Sequence, residues 1–370
     1  MIELSRYEVQ GGVSEYHVMI HVDNPRLTYA EQVESVLLAY VQLLEGELKG
    51  AVAVFKRFFL SDAANQTDYL QASLVEQEAC PLSIVEQPPL NGTKIALWAY
   101  LQKGVELKAL SHGMYEVKHS AYRHLWLAGA FYQASDAEAQ TRQLFDDYIT
   151  SLKEQGCTLA DNCLRTWFFV QNVDVNYAGV VKARNEVFAT QNLTNQTHFI
   201  ASTGIAGRHA NHQVSVLMDA YAVQGISQEQ VRYLYAPTHL NPTYEYGVSF
   251  ERGTSVDYGD RRQVFISGTA SINNKGEVAN PGDIRKQTLR MWENVEVLLA
   301  EAECTFDHVS HLIVYLRDVA DYIVVKEMFD ARFPNIPKVY LLAPVCRPGW
   351  LIEMECMAVK AIQNEHFPAY

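Results

Sequence analysis

Hydrophobic and polar positions along this chain follow two patterns, and each pattern predicts its own type of element. Over 284–303, apolar residues recur at intervals of three and four, which is typical of a helix that buries one face. Over 350–359 the chain is mostly apolar but carries Glu353 and Glu355. Residues two apart in a strand point to the same side, so these carboxylates are predicted to share one face of a strand.

The order of the predicted elements occurs more than once. A strand ends in 267-SGTAS-271, and a helix, a strand over 313–322, a second helix and two further strands follow it. About 145 residues earlier a similar order is present, and a fainter copy lies at the front. The corresponding segments are 125–131, 168–177 and 216–223 in the second copy, and 55–69 and 94–101 in the first. Chance matches occur between any α/β segments, but the element order, Asp/Asn-Tyr pairs and last strands agree together.

The repeat predicts three units, and a segment rich in Pro, Asn and Tyr over 226–246 is the predicted linker before the third. The unit boundaries are placed at 1–105, 106–230 and 240–365. Each unit is expected to run roughly β-β-α-β-α-β-β, which makes the chain an α/β (α+β) protein.

Composition narrows the class of protein and the partners it can have. The chain has 370 residues, 48% hydrophobic and 20% charged, which is typical of a globular protein. Its net charge of −13 disfavours nucleic acid as a partner, although local cations could still bind a small anion. No apolar run is long enough to span a membrane, the first residues lack a signal-peptide pattern, and the six cysteines form no CxxC pair. We therefore expect a cytoplasmic protein with reduced thiols and no membrane contact.

Three segments of the third unit resemble the RidA/YjgF family, formerly called the endoribonuclease L-PSP family. They are 265-FISGTASINNKGEV-278, 313-IVYLRDVADYIVVKEMF-329 and 352-IEMECMAVK-360, and the likeness covers about 244–362. Members of this family resemble chorismate mutase in fold and usually form trimers, with inward-facing sheets, outer helices and sites between subunits. The resemblance implies that this chain supplies all three units itself, as a pseudo-trimer that is a monomer in solution.

A narrower resemblance is to the chorismatases, which split chorismate into pyruvate and a hydroxylated or dihydroxylated ring acid. The lead-in 244-YEYG-247, the stretch 268-GTAS-271 and the segment 346-CRPGWLIEME-355 carry it. It implies an enzyme of hydrolase or lyase type with a small anionic substrate. Two alternatives stay open: a RidA-type imine or enamine deaminase, and a non-catalytic protein that binds a small ligand.

Glu353 is the candidate catalytic acid, because it matches the family's glutamate in the last strand. Leu217 stands at this place in the second copy, and 94–101 contains no acid, which predicts a single active cleft. A partly buried glutamate has a raised pKa, as a general acid near neutral pH requires. Glu355 is the alternative proton donor, and the contrasting interpretation is that both are solvated strand residues.

Four cations are candidates for substrate binding. Lys338 stands where deaminating RidA proteins have an arginine that holds the substrate carboxylate, and lysine lacks the bidentate fork of arginine. Lys326, Arg317 and Arg347 are the others. Each alone could be a solvated surface charge, but at least two of the four are expected to line the Glu353 cleft.

Small and aromatic residues complete the predicted pocket. Gly268, Thr269 and Ala270 are expected to offer backbone and hydroxyl groups to a ligand, and Tyr244 and Tyr246 could stack on a ring or donate a hydrogen bond.

No metal and no cofactor are expected. His209 and His212 have a weak metal-like spacing without a third ligand, so a solvated loop is the interpretation preferred here. The cysteines are assigned to packing.

Overall fold

The computed structural model describes residues 1–74 and 79–370, and these form three sheets with helices against them. The first sheet has the strand order β1-β2-β5-β3-β4, the second β10-β9-β11-β8-β7-β6, and the third β12-β13-β14-β17-β15-β16. Unit one contains β1 (Ile2–Tyr7), β2 (Ser14–His21), α1 (Tyr29–Glu45), β3 (Ala51–Leu60), α2 (Ala63–Ser73), β4 (Leu82–Glu86) and β5 (Ile95–Lys103).

Units two and three repeat this scheme with extra edge strands. Unit two contains β6 (Glu106–Ala109), β7 (Met114–His119), β8 (Tyr122–Phe131), α3 (Ala137–Glu154), α4 (Leu159–Asn162), β9 (Cys163–Val170), α5 (Val173–Thr190), β10 (Ala201–Ala206) and β11 (Val216–Gln224). Unit three contains β12 (Val231–Leu234), β13 (Gly253–Asp257), β14 (Arg261–Ala270), α6 (Ile284–Glu301), β15 (Val309–Leu316), α7 (Tyr322–Arg332), β16 (Lys338–Leu342) and β17 (Ile352–Ala361). The predicted α+β fold of three repeated units is therefore confirmed.

Two details differ from the sequence prediction. The segments 168–177 and 313–322 are strand only in their first part, because β9 ends at Val170 and β15 at Leu316, and helical structure begins at Val173 and Val319. The predicted linker 226–246 contains β12, which pairs antiparallel with β13 and so extends the third sheet. An edge strand of four residues gives too short an alternating pattern to be recognised among the surrounding prolines and asparagines.

Strand register shows which residues are equivalent in the three units. In each unit one central strand pairs in parallel with a short edge strand, the pairs ending at Leu60↔Glu86, Val170↔Ala206 and Leu316↔Leu342. The same three residues lie opposite Ile95, Val216 and Ile352 of the antiparallel neighbours. One position further along, the equivalent residues are Ala96, Leu217 and Glu353. One of these three equivalent positions therefore carries an acid, and the single active cleft stays a prediction.

Helix α6 shows how the amphipathic pattern is used. Its N-cap Asp283 accepts a hydrogen bond from the Lys286 amide at 3.0 Å, which satisfies a backbone donor of the first turn. The face that packs inward buries Met291, Trp292, Val295, Leu298 and Leu299. None of the helices in the described part of the chain combines the length and apolar character that crossing a bilayer needs.

The three units contact one another in a closed cycle. Isolated β-bridges join Glu86 to Arg208 between units one and two, Ile205 to Val345 between units two and three, and Pro89 to Leu341 between units one and three. One buried apolar cluster includes residues from all three sheets, among them Trp98, Trp167 and Met354. The inward faces of the sheets therefore share a core, and the clefts that could hold a ligand lie where two units meet.

Candidate active site

A cleft between units two and three, called the Glu353 cleft, brings together the acid and a set of arginines. Unit two lines it with Tyr177, Arg184, Ser202 and Gly204, and unit three with Tyr246, Arg252, Gly268, Ala270, Cys346, Arg347, Trp350 and Glu353 among others.

A β-bulge places the Glu353 carboxyl. Glu353 pairs with Ala270 of β14, and the ladder between β14 and β17 shifts register between Ile266 and Thr269. The bulge contains Gly268, and a Cβ added there would lie 2.2 Å from Oε1 of Glu353. Only glycine lets the carboxyl lie this close to the backbone, and bulges of this kind commonly re-aim a side chain beside an active site.

The surroundings of Glu353 favour its protonated form. The residue is 5% exposed, and its carboxyl has no hydrogen bond or ion pair with any residue that the structure describes. Burial, and after it the nearby Glu355 charge, raise the pKa of Glu353, while Arg165 and Arg252 lower it, and the net result is a pKa of about 8. The carboxyl therefore holds its proton at neutral pH and can act as an acid.

Glu355 shares a strand face with Glu353 but points to the centre of the molecule. Its Oε2 accepts a hydrogen bond from Nη2 of Arg165 at 2.7 Å, and its Oε1 accepts one from Nε1 of Trp167 at 2.9 Å. Thr203 donates a further short hydrogen bond to Oε2. Glu355 is absent from the lining of the Glu353 cleft, so the expectation that its register could bring it there as a second proton donor is not met.

Two arginines that the sequence analysis missed line the cleft beside Arg347. Arg184 on α5 and Arg252 before β13 are 1% and 5% exposed, and Nε of each has no hydrogen-bond partner in the described part of the chain. Arg347 lies over the rings of Tyr246 and Trp350, 4.5 and 5.0 Å from their centroids. No ion pair joins any of the three to a described carboxylate, which makes the cleft locally positive in a chain of net charge −13.

The repeat could have revealed Arg184. It lies two residues after Lys182, in the helix of unit two that corresponds to the helix of Lys326. The predicted cations all belong to the third copy, whereas a cleft between units takes one wall from each of two neighbouring units. Arg252 precedes a strand in a segment with no pattern of its own, so no comparable signal pointed to it.

The other predicted cations lie elsewhere. Lys326 and Lys338 line a different cleft, between units three and one. There Lys326 pairs with Asp330, and Nζ of Lys338 donates a hydrogen bond to the Ile336 carbonyl at 3.0 Å. Arg317 pairs with Asp174.

The expectation that at least two of these four cations line the Glu353 cleft is therefore wrong, since Arg347 alone of the four lines it. The physical reason is the closed cycle of units, in which each cleft takes one wall from each of two neighbouring units. By register, Ser202 of unit two occupies in the Glu353 cleft the position that Lys338 occupies in the other.

The small and aromatic candidates divide in the same way. Gly268, Ala270 and Tyr246 line the Glu353 cleft. Thr269 turns its hydroxyl to the Ser267 carbonyl, at 2.9 Å, and does not line the cleft. Tyr244 is 48% exposed and lines a neighbouring pocket instead.

The structure also places the histidines with the weak metal-like spacing and the cysteines. His209 packs against Phe131 and accepts a hydrogen bond from the Asn211 amide at 3.0 Å, and the described residues contain no group of three or more metal-ligating side chains. None of the six cysteines, all of which lie in the described part of the chain, forms a disulfide bond. Cys346 lines the Glu353 cleft, where burial raises the pKa of its thiol to about 12, so its assignment to packing alone was incomplete.

Comparison with known proteins finds a solved structure whose fold matches nearly all of the chain. A crystal structure of a chorismatase superposes with a TM-score of 0.68 over 93% of this chain and 98% of that one, at 18% identity. The 3-hydroxybenzoate synthase of Streptomyces hygroscopicus is 27% identical over 238 residues, which are 58% of this chain and 68% of that protein.

The third unit gives the family. The model of the family described as Endoribonuclease L-PSP matches residues 255–360, from β13 to β17. A RutC family protein of Pyrococcus abyssi is 33% identical over 100 residues, 26% of this chain and 78% of that protein. The chain therefore belongs to the RidA/YjgF family, with the matched segment in the unit that carries Glu353.

Proposed function

We propose that this protein is an enzyme that cleaves chorismate, or a similar enolpyruvyl acid, into pyruvate and a hydroxylated ring acid. The observation that carries the proposal is a buried, unpaired Glu353 in a cleft that also holds Arg184, Arg252 and Arg347. The similarities to a chorismatase and a 3-hydroxybenzoate synthase support this substrate class.

The charges of the cleft suit a small dianion. Chorismate carries two carboxylates, and a pair of arginines can each bind one through charge-assisted hydrogen bonds. Arg347 and Arg184 line the cleft from different units, Arg347 from unit three and Arg184 from unit two. The aromatic rings of Tyr177, Tyr246 and Trp350 give the ring of the substrate an apolar surface.

Glu353 then acts as the general acid. Its carboxyl gives a proton to the methylene carbon of the enolpyruvyl group, and the neighbouring ether carbon becomes oxocarbenium-like. Water attacks that carbon to give a hemiketal. The hemiketal hydroxyl proton passes to the ether oxygen as the bond between that carbon and the ether oxygen breaks, so pyruvate leaves and the ring keeps the oxygen as a hydroxyl. The attacking water loses its other proton, which restores the acid form of Glu353, whose pKa of about 8 allows both steps near neutral pH.

The runner-up is an imine or enamine deaminase, in which Glu353 would position a water molecule. The family resemblance places an arginine for the substrate carboxylate at the position that is Ser202 in the Glu353 cleft. A serine hydroxyl cannot replace a bidentate guanidinium, so this assignment is weaker. A ligand-binding protein without activity is the third possibility that the assay below distinguishes.

The first test measures pyruvate release from chorismate. We expect turnover by the wild-type protein and a loss in kcat of about 10²-fold or more for Glu353→Gln, which keeps the shape but has no acidic proton. Glu34→Gln, at an exposed position of α1, is the matched control and should behave as wild type. Ammonia release from an imine generated in situ, without pyruvate release from chorismate, would favour the deaminase instead. Inactivity in both assays would favour a binding protein.

The second test separates the two clefts. Arg347→Ala should raise KM by about 10- to 100-fold, because losing a charge-assisted hydrogen bond costs about 1.5–3 kcal/mol. Lys326→Ala removes a cation from the cleft between units three and one, and should leave KM unchanged. The reverse result, with KM sensitive to Lys326 and not to Arg347, would place the substrate in the other cleft.

A further inference from the structure

One buried hydroxyl in unit two connects the centre of the molecule to the Glu353 cleft. Thr203 lies on β10 and is 1% exposed. Its Oγ1 accepts hydrogen bonds from Nη2 of Arg165 at 2.6 Å and from the Gly268 amide at 2.9 Å, and it donates a short one to Glu355. A threonine hydroxyl has one donor and two acceptor sites, so its full hydrogen-bonding capacity is used.

The partners of this hydroxyl lie at two functional places. Gly268 forms the bulge against which the Glu353 carboxyl lies, so close that a Cβ there would be 2.9 Å from its Cδ. Arg165 and Glu355 form a buried ion pair, joined at 2.7 Å, two residues along β17 from Glu353. Thr203 is thus hydrogen-bonded both to the backbone that supports the acid and to the nearest buried carboxylate.

We propose that Thr203 is a positioning residue for Glu353, which fixes the Gly268 bulge by tying it to the Arg165–Glu355 ion pair. The kinetic part of this inference rests on the proposed function, whereas the structural part does not need a substrate. Through Thr203, unit two has a role in the chemistry, although unit two has Leu217 at the position where unit three has the acid.

The equivalent position in another cleft supports this assignment. By register, Thr203 of β10 corresponds to Val339 of β16. Val339 lines the cleft between units three and one, where unit one has Ala96 in the place of Glu353. The wall that faces the acid therefore has a hydroxyl where this other wall has an isosteric apolar side chain. The third equivalent residue, Ser83 of β4, also has a hydroxyl, although unit two has Leu217 in place of the acid.

The test compares Thr203→Val, which keeps the shape and removes the hydroxyl, with Thr203→Ser, which keeps the hydroxyl. With chorismate, Thr203→Val should lower kcat by about tenfold or more and change KM less than about threefold, since the arginines are untouched. Thr203→Ser should stay close to wild type. Thr203→Cys, with a weaker donor and acceptor, should be intermediate, and it keeps the test informative if the valine variant does not fold.

A second measurement needs no turnover. The carboxyl carbon of Glu353, assigned by its loss in Glu353→Gln, is followed by 13C NMR during a pH titration. Thr203→Val should shift this resonance and its midpoint, and Thr203→Ser should not. If these signals move while neither wild type nor variants release pyruvate, the positioning role stands and the proposed function fails. A valine variant with the wild-type resonance, midpoint and kcat per folded molecule would overturn the inference, whatever its thermal stability.

Discussion

At the scale of single residues, Glu353 and Glu355 lie two apart on β17 and have different surroundings, since the Glu355 carboxyl accepts hydrogen bonds from Arg165 and Trp167 and the Glu353 carboxyl has no described partner. Glu353 could be found because it is one of two carboxylates that interrupt an apolar strand, and it matches the family glutamate. The difference between Glu353 and Glu355 could not be found in the sequence, because both lie on the same strand face. Only the folded structure shows that Arg165 and Trp167 contact Glu355. Arg252 was missed for the same reason. It is a candidate for anion binding because no described carboxylate forms an ion pair with it, and only the folded structure shows this.

The raised pKa of Glu353 predicts how stability changes with pH. Burial raises this pKa from 4.5 to about 8, so between these values the folded state holds a proton that the unfolded state releases. The free energy of unfolding therefore falls as pH rises through this window, by up to about 1.4 kcal/mol per pH unit from this group. Glu353→Gln has no such proton, so it should gain stability relative to wild type as pH rises, with no further gain above about pH 8.

Urea denaturation at about pH 5, 7 and 9 measures this difference, with Glu34→Gln as the exposed control. Parallel curves of stability against pH for wild type and Glu353→Gln would mean that Glu353 titrates normally and is ionised at neutral pH. That result would also remove the general acid from the proposed reaction.

At the scale of elements, the long helices and apolar strands followed from their patterns, but the feature that builds the site is an irregularity. The bulge at Gly268 leaves no periodic pattern in the sequence. It matters for the site because the Glu353 carboxyl lies against it. The candidate helix for ligand binding was α7, whereas α5 of unit two faces the Glu353 cleft with Arg184. Repeats predict elements within each unit, and the order of the units around the cycle decides which elements meet.

Gly268→Ala tests the bulge. The added Cβ would overlap the Glu353 carboxyl, so kcat should fall by about tenfold or more as the acid moves away from its position. Stability should fall as well, but less when Glu353 is already alanine, because the overlapping atoms are then gone. A double-mutant cycle by urea denaturation should give a coupling of about 1 kcal/mol or more. Additive effects of the two changes would show that the carboxyl does not lie against Gly268.

At the scale of the whole molecule, three units share one interior. Arg57 of unit one pairs with Asp219 of unit two at 2.7 Å, and Arg165 of unit two pairs with Glu355 of unit three. Both pairs are buried. In addition, an edge strand or the residues that follow it form an isolated β-bridge from each unit to the next. In a trimer of separate subunits such surfaces would be buried between chains. Here they are covered within a single chain.

The closed cycle predicts a monomer in solution. Each sheet already faces the other two across the common core, so none of the inward faces in the described part of the chain is left to recruit a second copy. The net charge of −13 adds repulsion between copies at low salt. Sedimentation equilibrium over about 1–100 µM should give the mass of one chain at both low and high ionic strength, since screening removes the repulsion but creates no interface. A stable homotrimer would contradict this arrangement, because its subunits would need a face that the three units leave uncovered. A species that appears only at high salt would instead indicate a weak outer contact, held apart by charge and independent of the Glu353 cleft.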